Sequence, residues 1–199
     1  MNTFNTFFLT TLILIMTIAC NQRSNKDNGS TGENFLPDSV YIAKGNSIVA
    51  KTFDTLRNSL LHAINDKGTD GAIEFCSEQA FSLTTLYSED ITIKRSSLRV
   101  RNENNSPDQL EESVLSGMSS DIGSGAGAQA KIVRQDGQVH FFKPILLQPI
   151  CLNCHGDPGS EIQPKTLARI RELYPNDKAT GYKVGDLRGI WHIVFQNKN

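Results

Sequence analysis

The sequence predicts an α+β domain over residues 38–199. Stretches of helical apolar periodicity come first, between residues 46 and 87. An Asp-Gly dipeptide at 136–137 then joins two runs that read as strands, and a further strand-like run, "IWHIVFQ", closes the chain. Helices followed by an antiparallel meander, with no βαβ alternation and no internal repeat, place the domain in the α+β class.

The first helix is expected over 46–66, where Ile48, Val49, Phe53, Leu56, Leu60, Leu61 and Ile64 recur near helical spacing. Lys67-Gly68 ends it. A second helix is expected from about 70 to 87, with Ile73, Cys76, Ala80, Leu83 and Tyr87 along one line, so that Cys76 faces inward. "ITIKRSSLRVRN" (91–102) reads as a strand whose alternation changes phase near Ser96, the sign of a bulge or bend. "SPDQLEESVL" reads as a helix start, with Ser106 as N-cap, Pro107 at the first helical position and Gln109 three residues after the cap. "GMSSDIGSGAGAQA" reads as a Gly/Ser loop. Asp136-Gly137 is the turn between "QAKIVRQ" and "QVHFFKPILLQ". Pro164 starts one more helix containing Leu167, Ile170, Arg171 and Tyr174. The polar loop "PNDKATGYKVGDLRG" then leads to the last strand.

The two ends of the chain differ from this core in kind. "FFLTTLILIMTIAC" is a largely apolar run ending at Cys20, too short to be a comfortable membrane span. It resembles a bacterial lipoprotein signal over residues 1–20, in which Cys20 is lipidated, although no Lys or Arg precedes it and Thr17 stands where such signals carry Leu. An uncleaved anchor, or a secretion signal cut nearby, is the other reading. Each places the domain outside the cytosol, on the periplasmic side or the cell surface, and the first adds a membrane contact through the lipid. Residues 21–37 open with "NQRSNKDNGSTGEN", which has no large apolar residue and reads as a flexible tether. With 20 Lys plus Arg against 21 Asp plus Glu, net −1, the chain gives no reason to expect a nucleic-acid partner.

The chemistry concentrates in "PICLNCHGDP" (149–158), which holds two of the four cysteines and one of the four histidines. Covalent haem attachment needs two thiols within reach of both porphyrin vinyl groups and an imidazole directly after them to ligate iron. Cys151-Leu-Asn-Cys154-His155 supplies all of these from one short turn. Haem c is attached outside the cytosol, so the export signal and the motif support each other. A zinc site would want a second pair of ligands. A thioredoxin-like pair would sit at a helix start after a strand. A plain disulfide would leave the histidine incidental. Haem c, with its iron held by His155, is the reading these residues favour. For the second axial position the residues leave Cys76, Met118, His62, His140, His192 or no ligand open, with Cys76 slightly ahead as a soft donor on a core-facing helix line.

"GAIEFCSEQAFSL", "KRSSLRVRNENNSPD", "KPILLQPICLNCHGDP" and "DKATGYKVGDLRG" together resemble, in order and over most of 46–196, a family of single-haem c-type domains with a PAS-like fold. Its members occur as exported proteins and as sensory ends of membrane histidine kinases. The resemblance implies a PAS-like antiparallel sheet and a haem held by His155 on one face and the Cys76 thiolate on the other. The chain departs from the family at Phe81 and Glu103, where Pro is common. The array Arg95, Arg99, Arg101 is either a solvated strand face or a partner for the haem propionates. Lys183 and Arg188 are weaker candidates for the same role, and Tyr182 and Trp191 read as core. A haem ligated on both faces is expected to act as a redox or gas sensor rather than an enzyme. A cell-surface electron carrier is the alternative. The partner expected is a redox or signalling protein, and a homodimer is left open.

Overall fold

The computed structural model describes residues 35–88 and 90–196. The apolar leader, Cys20 and most of the tether lie outside the described residues. No helix among the described residues is long and apolar enough to cross a membrane.

The first helical stretch, α1 (Asp38–Glu78), starts well before the residue expected from periodicity. It is two helices meeting at Gly68, whose φ of 73° and ψ of −179° break the hydrogen-bond ladder. Only glycine adopts that conformation without steric cost. We call the parts α1a (before Gly68) and α1b (after it). The second helix is shorter than expected: after α1b come a brief α2 (Ala80–Thr84) and an edge strand β1 (Leu86–Tyr87). β2 (Ile91–Ser96) ends where the alternation changes phase, so Arg99 and Arg101 follow the strand rather than lying on it.

The next helix, α3 (Gln109–Gly123), corrects two expectations. Its N-cap is Asp108, not Ser106. The Asp108 carboxylate accepts from the Glu111 amide at 2.9 Å, and the Glu111 carboxylate accepts from the Asp108 amide at 2.9 Å. Ser106 instead donates its hydroxyl to the Glu103 carbonyl. An ionised carboxylate makes the stronger cap, and the reciprocal bond needs the longer Glu side chain. The Gly/Ser stretch is helical through Gly123, and Met118 is fully buried on it. Burying one apolar line outweighs the weak helix propensity of Gly and Ser.

β3 (Lys131–Gln135) and β4 (Gln138–Leu146) form the expected hairpin, with Asp136 and Gly137 both at positive φ. The site segment follows as a 3-10 turn (Pro149–Cys151) and one helical turn, α4 (Leu152–His155). α5 (Pro164–Leu173) begins on its proline as expected, and β5 (Leu187–Gln196) closes the chain. The antiparallel sheet has the order β1-β2-β5-β4-β3, and the architecture is α+β and PAS-like.

The sheet is covered on both faces. Tyr41 and Val49 of α1a pack with Ile93, Phe141, Trp191, Ile193 and Phe195 on one face. Val114, Leu115 and Met118 of α3 pack with Phe142 and Ile190 on the other. The α3 face also carries a buried polar chain. His140 Nδ1 lies 2.9 Å from His192 Nε2, and His192 Nδ1 lies 2.6 Å from Glu111 Oε1. Burial works against ionisation of Glu111, but hydrogen bonds from His192 and the Asp108 amide, with Lys94 3.0 Å away, hold its carboxyl below the usual value. Burial and the neighbouring His192 push His140 down.

Both shifts set a pH dependence of stability. His140 stays neutral in the folded protein where an unfolded histidine, near 6.5, has taken a proton. Glu111 stays ionised where an unfolded carboxyl, near 4.5, is protonated. In each case the unfolded chain binds more protons, so stability falls as pH falls, first below the histidine value and again below the carboxyl value. Urea midpoints measured from neutral pH down to about 3 should trace both declines, with Glu111→Gln flattening the lower one. Gly45 lies against Phe141, whose ring a Cβ there would meet at 2.5 Å. Gly45→Ala is therefore expected to cost about 1–3 kcal/mol in the same measurement.

Candidate functional site

The site is assembled from segments that are not individually stable. The 149–156 stretch contains little more than single turns, and its shape comes from the loop 177–182 laid beside it. The Gly181 amide donates to the Gly156 carbonyl at 2.7 Å, and the Tyr182 amide to the His155 carbonyl at 3.0 Å. Arg101 fastens the two. Its guanidinium grips Asp177 with two 3.1 Å bonds and also donates to the Cys154 carbonyl at 2.7 Å and the Ala179 carbonyl at 3.3 Å. Both members of this ion pair are nearly excluded from solvent, at 9% and 8% exposure. The planar five-donor guanidinium is the side chain able to serve a carboxylate and two carbonyls at once.

His155 is held by the same loop. Its Nδ1 lies 2.7 Å from the Ala179 carbonyl, which can only accept, so Nδ1 carries the proton and Nε2 keeps its lone pair. Burial, reinforced by the positive charges of Arg188 and Arg101, holds His155 well below its usual value and therefore neutral at physiological pH. Tyr182 stands edge-on to the imidazole, with the ring planes at 88°. A neutral imidazole with an oriented second nitrogen and a free Nε2 is a metal ligand ready-made.

The described cysteines, Cys76, Cys151 and Cys154, are free thiols and converge here. Cys154 packs in the cluster of Ile73, Ile162 and Ile170, so α1b lies against the site segment one turn before Cys76. Burial pushes Cys154 up to about 11. Burial also raises Cys76, while Arg95 and Arg101 pull the other way by favouring its thiolate. Tyr174, after α5, is pushed to about 12 by burial and by Cys76 beside it.

The arginine array separates on folding. Arg95 lies on β2 under α2, where Nε donates to Thr84 Oγ1 and Nη2 to the Ala80 carbonyl, with its guanidinium 5.8 Å from the Trp191 ring centroid. Burial lowers it to about 10. Arg99 sits over the Tyr182 ring at 4.1 Å and donates to the Lys178 and Thr180 carbonyls. The solvated-strand-face reading therefore fails for Arg101, which is buried, and for Arg99, which is off the strand. Arg188, ranked low in the sequence, stands 5.7 Å from the Tyr182 ring centroid with its Nε buried and unpaired. A buried unpaired guanidinium N–H beside His155 marks a place for an acidic group. In sequence, the placing of Tyr182 and Arg188 close together, Arg188 at the start of β5, is the signal for this.

The other axial candidates lie elsewhere. Met118 and the His140–His192 pair belong to the α3 face of the sheet, whereas Arg95 pairs with Trp191 on the opposite face. His62 is exposed and bonded to Asp66. Asp108, Glu111 and His192 bring ligand-type atoms together, but Lys94 already provides the cation there, 3.0 Å from Glu111 and 3.7 Å from Asp108.

A family model described as Tll0287-like matches residues 39–195, the whole span from α1a through β5. The chain belongs to the Tll0287-like family. Among solved structures, the crystal structure of the cyanobacterial heme-protein Tll0287 aligns with a TM-score of 0.56 at 21% identity, covering 83% of this chain and 99% of that one. No curated protein matches. At that identity the alignment speaks to the fold of this Tll0287-like domain, which is shared along nearly the full length of the solved chain.

The donor set fits a c-type haem. Free thiols lie three positions apart in one turn, a neutral imidazole has its Nε2 unengaged, a further thiol stands by, and buried guanidinium groups suit carboxylate propionates. Replacing Arg101 by Met should strand the buried Asp177 and cost on the order of 3–5 kcal/mol. The additional Asp177→Leu change should recover part of that loss in thermal melts.

Proposed function

We propose that this chain is an extracytoplasmic haem protein that reports redox state or a diatomic gas to a partner protein, anchored by lipid at Cys20. The observation that carries the reading is the tied imidazole. His155 Nδ1 is committed to Ala179, and the Cys76 thiol converges on the same buried cluster. The membership of the family and the solved heme-protein with the same fold add support.

In this reading Cys151 and Cys154 would form the covalent thioether links, and His155 Nε2 and the Cys76 sulfur would hold the iron. When bound, haem supplies an iron that changes oxidation state and takes a small gas where one axial position is free. The protein's part is to set how firmly Cys76 holds. Burial favours the neutral thiol, and Arg95 and Arg101 favour the thiolate. Buried and flanked by Arg95 and Arg101, Cys76 would be a thiolate donor whose hold on a bound iron these residues balance. With His155 and Cys76 both committed to holding the iron in this reading, no catalytic turnover is assigned.

An electron carrier is the second reading. Ile150, beside Cys151, is 52% exposed, and Leu146 and Val184 are also exposed large apolar residues, a rim of the kind a docking redox partner covers.

Protein exported from a host with c-type maturation should give a pyridine haemochrome spectrum and the mass of one added haem. Colourless protein without that mass would end the proposal. Electron paramagnetic resonance should show a low-spin thiolate signal that Cys76→Ala abolishes. Stopped-flow reduction under carbon monoxide separates the readings: slow ligand loss with gas uptake marks a sensor, fast reduction without uptake a carrier.

A further inference from the structure

The cluster around Cys76 leaves open what holds α1b in place. Gly68 interrupts the ladder between α1a and α1b, so the anchoring of α1a on the sheet does not rigidly fix the Cys76 segment. α1b is instead paired side by side with α5. Thr69 Oγ1 meets Thr166 Oγ1 at 2.6 Å, Asp70 meets Lys165 at 2.7 Å, and Glu74 meets Arg169 at 2.7 Å. Ile73 packs between them on Ile162 and Ile170. These contacts advance in step along both helices, so the two run in the same direction. The row Thr69, Ile73, Cys76 ends opposite Thr166, Ile170 and Tyr174, and Tyr174 is the residue whose hydroxyl feels Cys76.

α5 is also the continuation of the segment carrying Cys154 and His155, joined to it through Ile162. The helix bearing one proposed ligand is therefore latched to the element bearing the other. Beyond the latch, its C-terminal end is steadied by Arg95, which donates to Ala80 and Thr84 just after it.

We propose that the α1b–α5 contact, and the Glu74–Arg169 pair in particular, is a positioning latch that sets how long Cys76 stays on the iron. This rests on the haem reading above, with Cys76 as ligand. Glu74 and Arg169 touch neither Cys76 nor the site turn in any hydrogen bond; they act through the placement of α1b. Arg169 is well suited to the role because it bridges Glu74 and its own-helix Glu172 at 2.7 Å each. Loosening the pair lets α1b pivot at Gly68 and draws the thiol away, while the sheet core is untouched.

The test is a double-variant cycle on matured haem protein, with Glu74→Gln, Arg169→Met and both together. The readouts are carbon monoxide uptake by the reduced protein and the low-spin thiolate signal of the oxidised protein. Each single variant is expected to speed uptake by about two- to fivefold, the range one partly exposed ion pair supports. The double variant should be no faster than either single, and Arg169→Lys should stay near the parent. Lys131→Met, which breaks an ion pair with Asp121 elsewhere in the fold, should leave uptake unchanged. Parent-like uptake in both singles at normal haem content overturns the latch and leaves the haem reading intact. Faster uptake in Lys131→Met as well overturns it in favour of general loosening. A Cys76→Ala protein with the parent spectrum removes Cys76 from the iron and overturns the latch together with the Cys76 ligand assignment, while the haem attachment stands.

Discussion

The site depends on one buried guanidinium. Arg101 satisfies Asp177, the Cys154 carbonyl and the Ala179 carbonyl together, and the Ala179 carbonyl in turn fixes the tautomer of His155. Two segments, the single turns of 149–158 and the loop 177–182, are thereby made one surface. Neither has enough internal hydrogen bonding to hold its shape, and the charge pair that joins them is too buried to tolerate losing a partner.

The sheet divides the molecule's chemistry. On the α3 face the polar groups are closed on one another: Lys94 neutralises Glu111, Glu111 holds His192, and His192 meets His140. That face is structural, its ionisable groups balanced within the fold. On the other face, toward α1b and the site segment, thiols are free, Arg188 keeps an unpaired buried nitrogen, and His155 has one nitrogen committed and one not. Unsatisfied capacity in a buried region is what separates a binding site from a core.

Short-range signals were legible in the sequence. The Asp136-Gly137 turn, the proline start of α5 and the phase change at Ser96 each depend on one or two residues' backbone preferences, and the structure keeps them. Where burial competes with local preference, the outcome differs. The Gly/Ser stretch became helix because that conformation buries Met118 with Phe142 and Ile190. The helix expected over 70–87 breaks at Gln79, and Arg95, distant in sequence, takes up the Ala80 carbonyl and the Thr84 hydroxyl of the short α2 that follows.

By itself the sequence determined the candidate haem turn, since Cys151, Cys154 and His155 lie within one turn whatever surrounds them, and it determined the α+β class through its periodicities. Tertiary structure alone decided which distant groups meet that turn. It set Cys76 near it and His140, His192 and Met118 on the far face of the sheet. It also divided Arg95, Arg99 and Arg101 among separate tasks. Spacing along a chain governs contacts within a few residues; contacts across dozens of residues are settled by which apolar faces bury one another, and no local pattern encodes that.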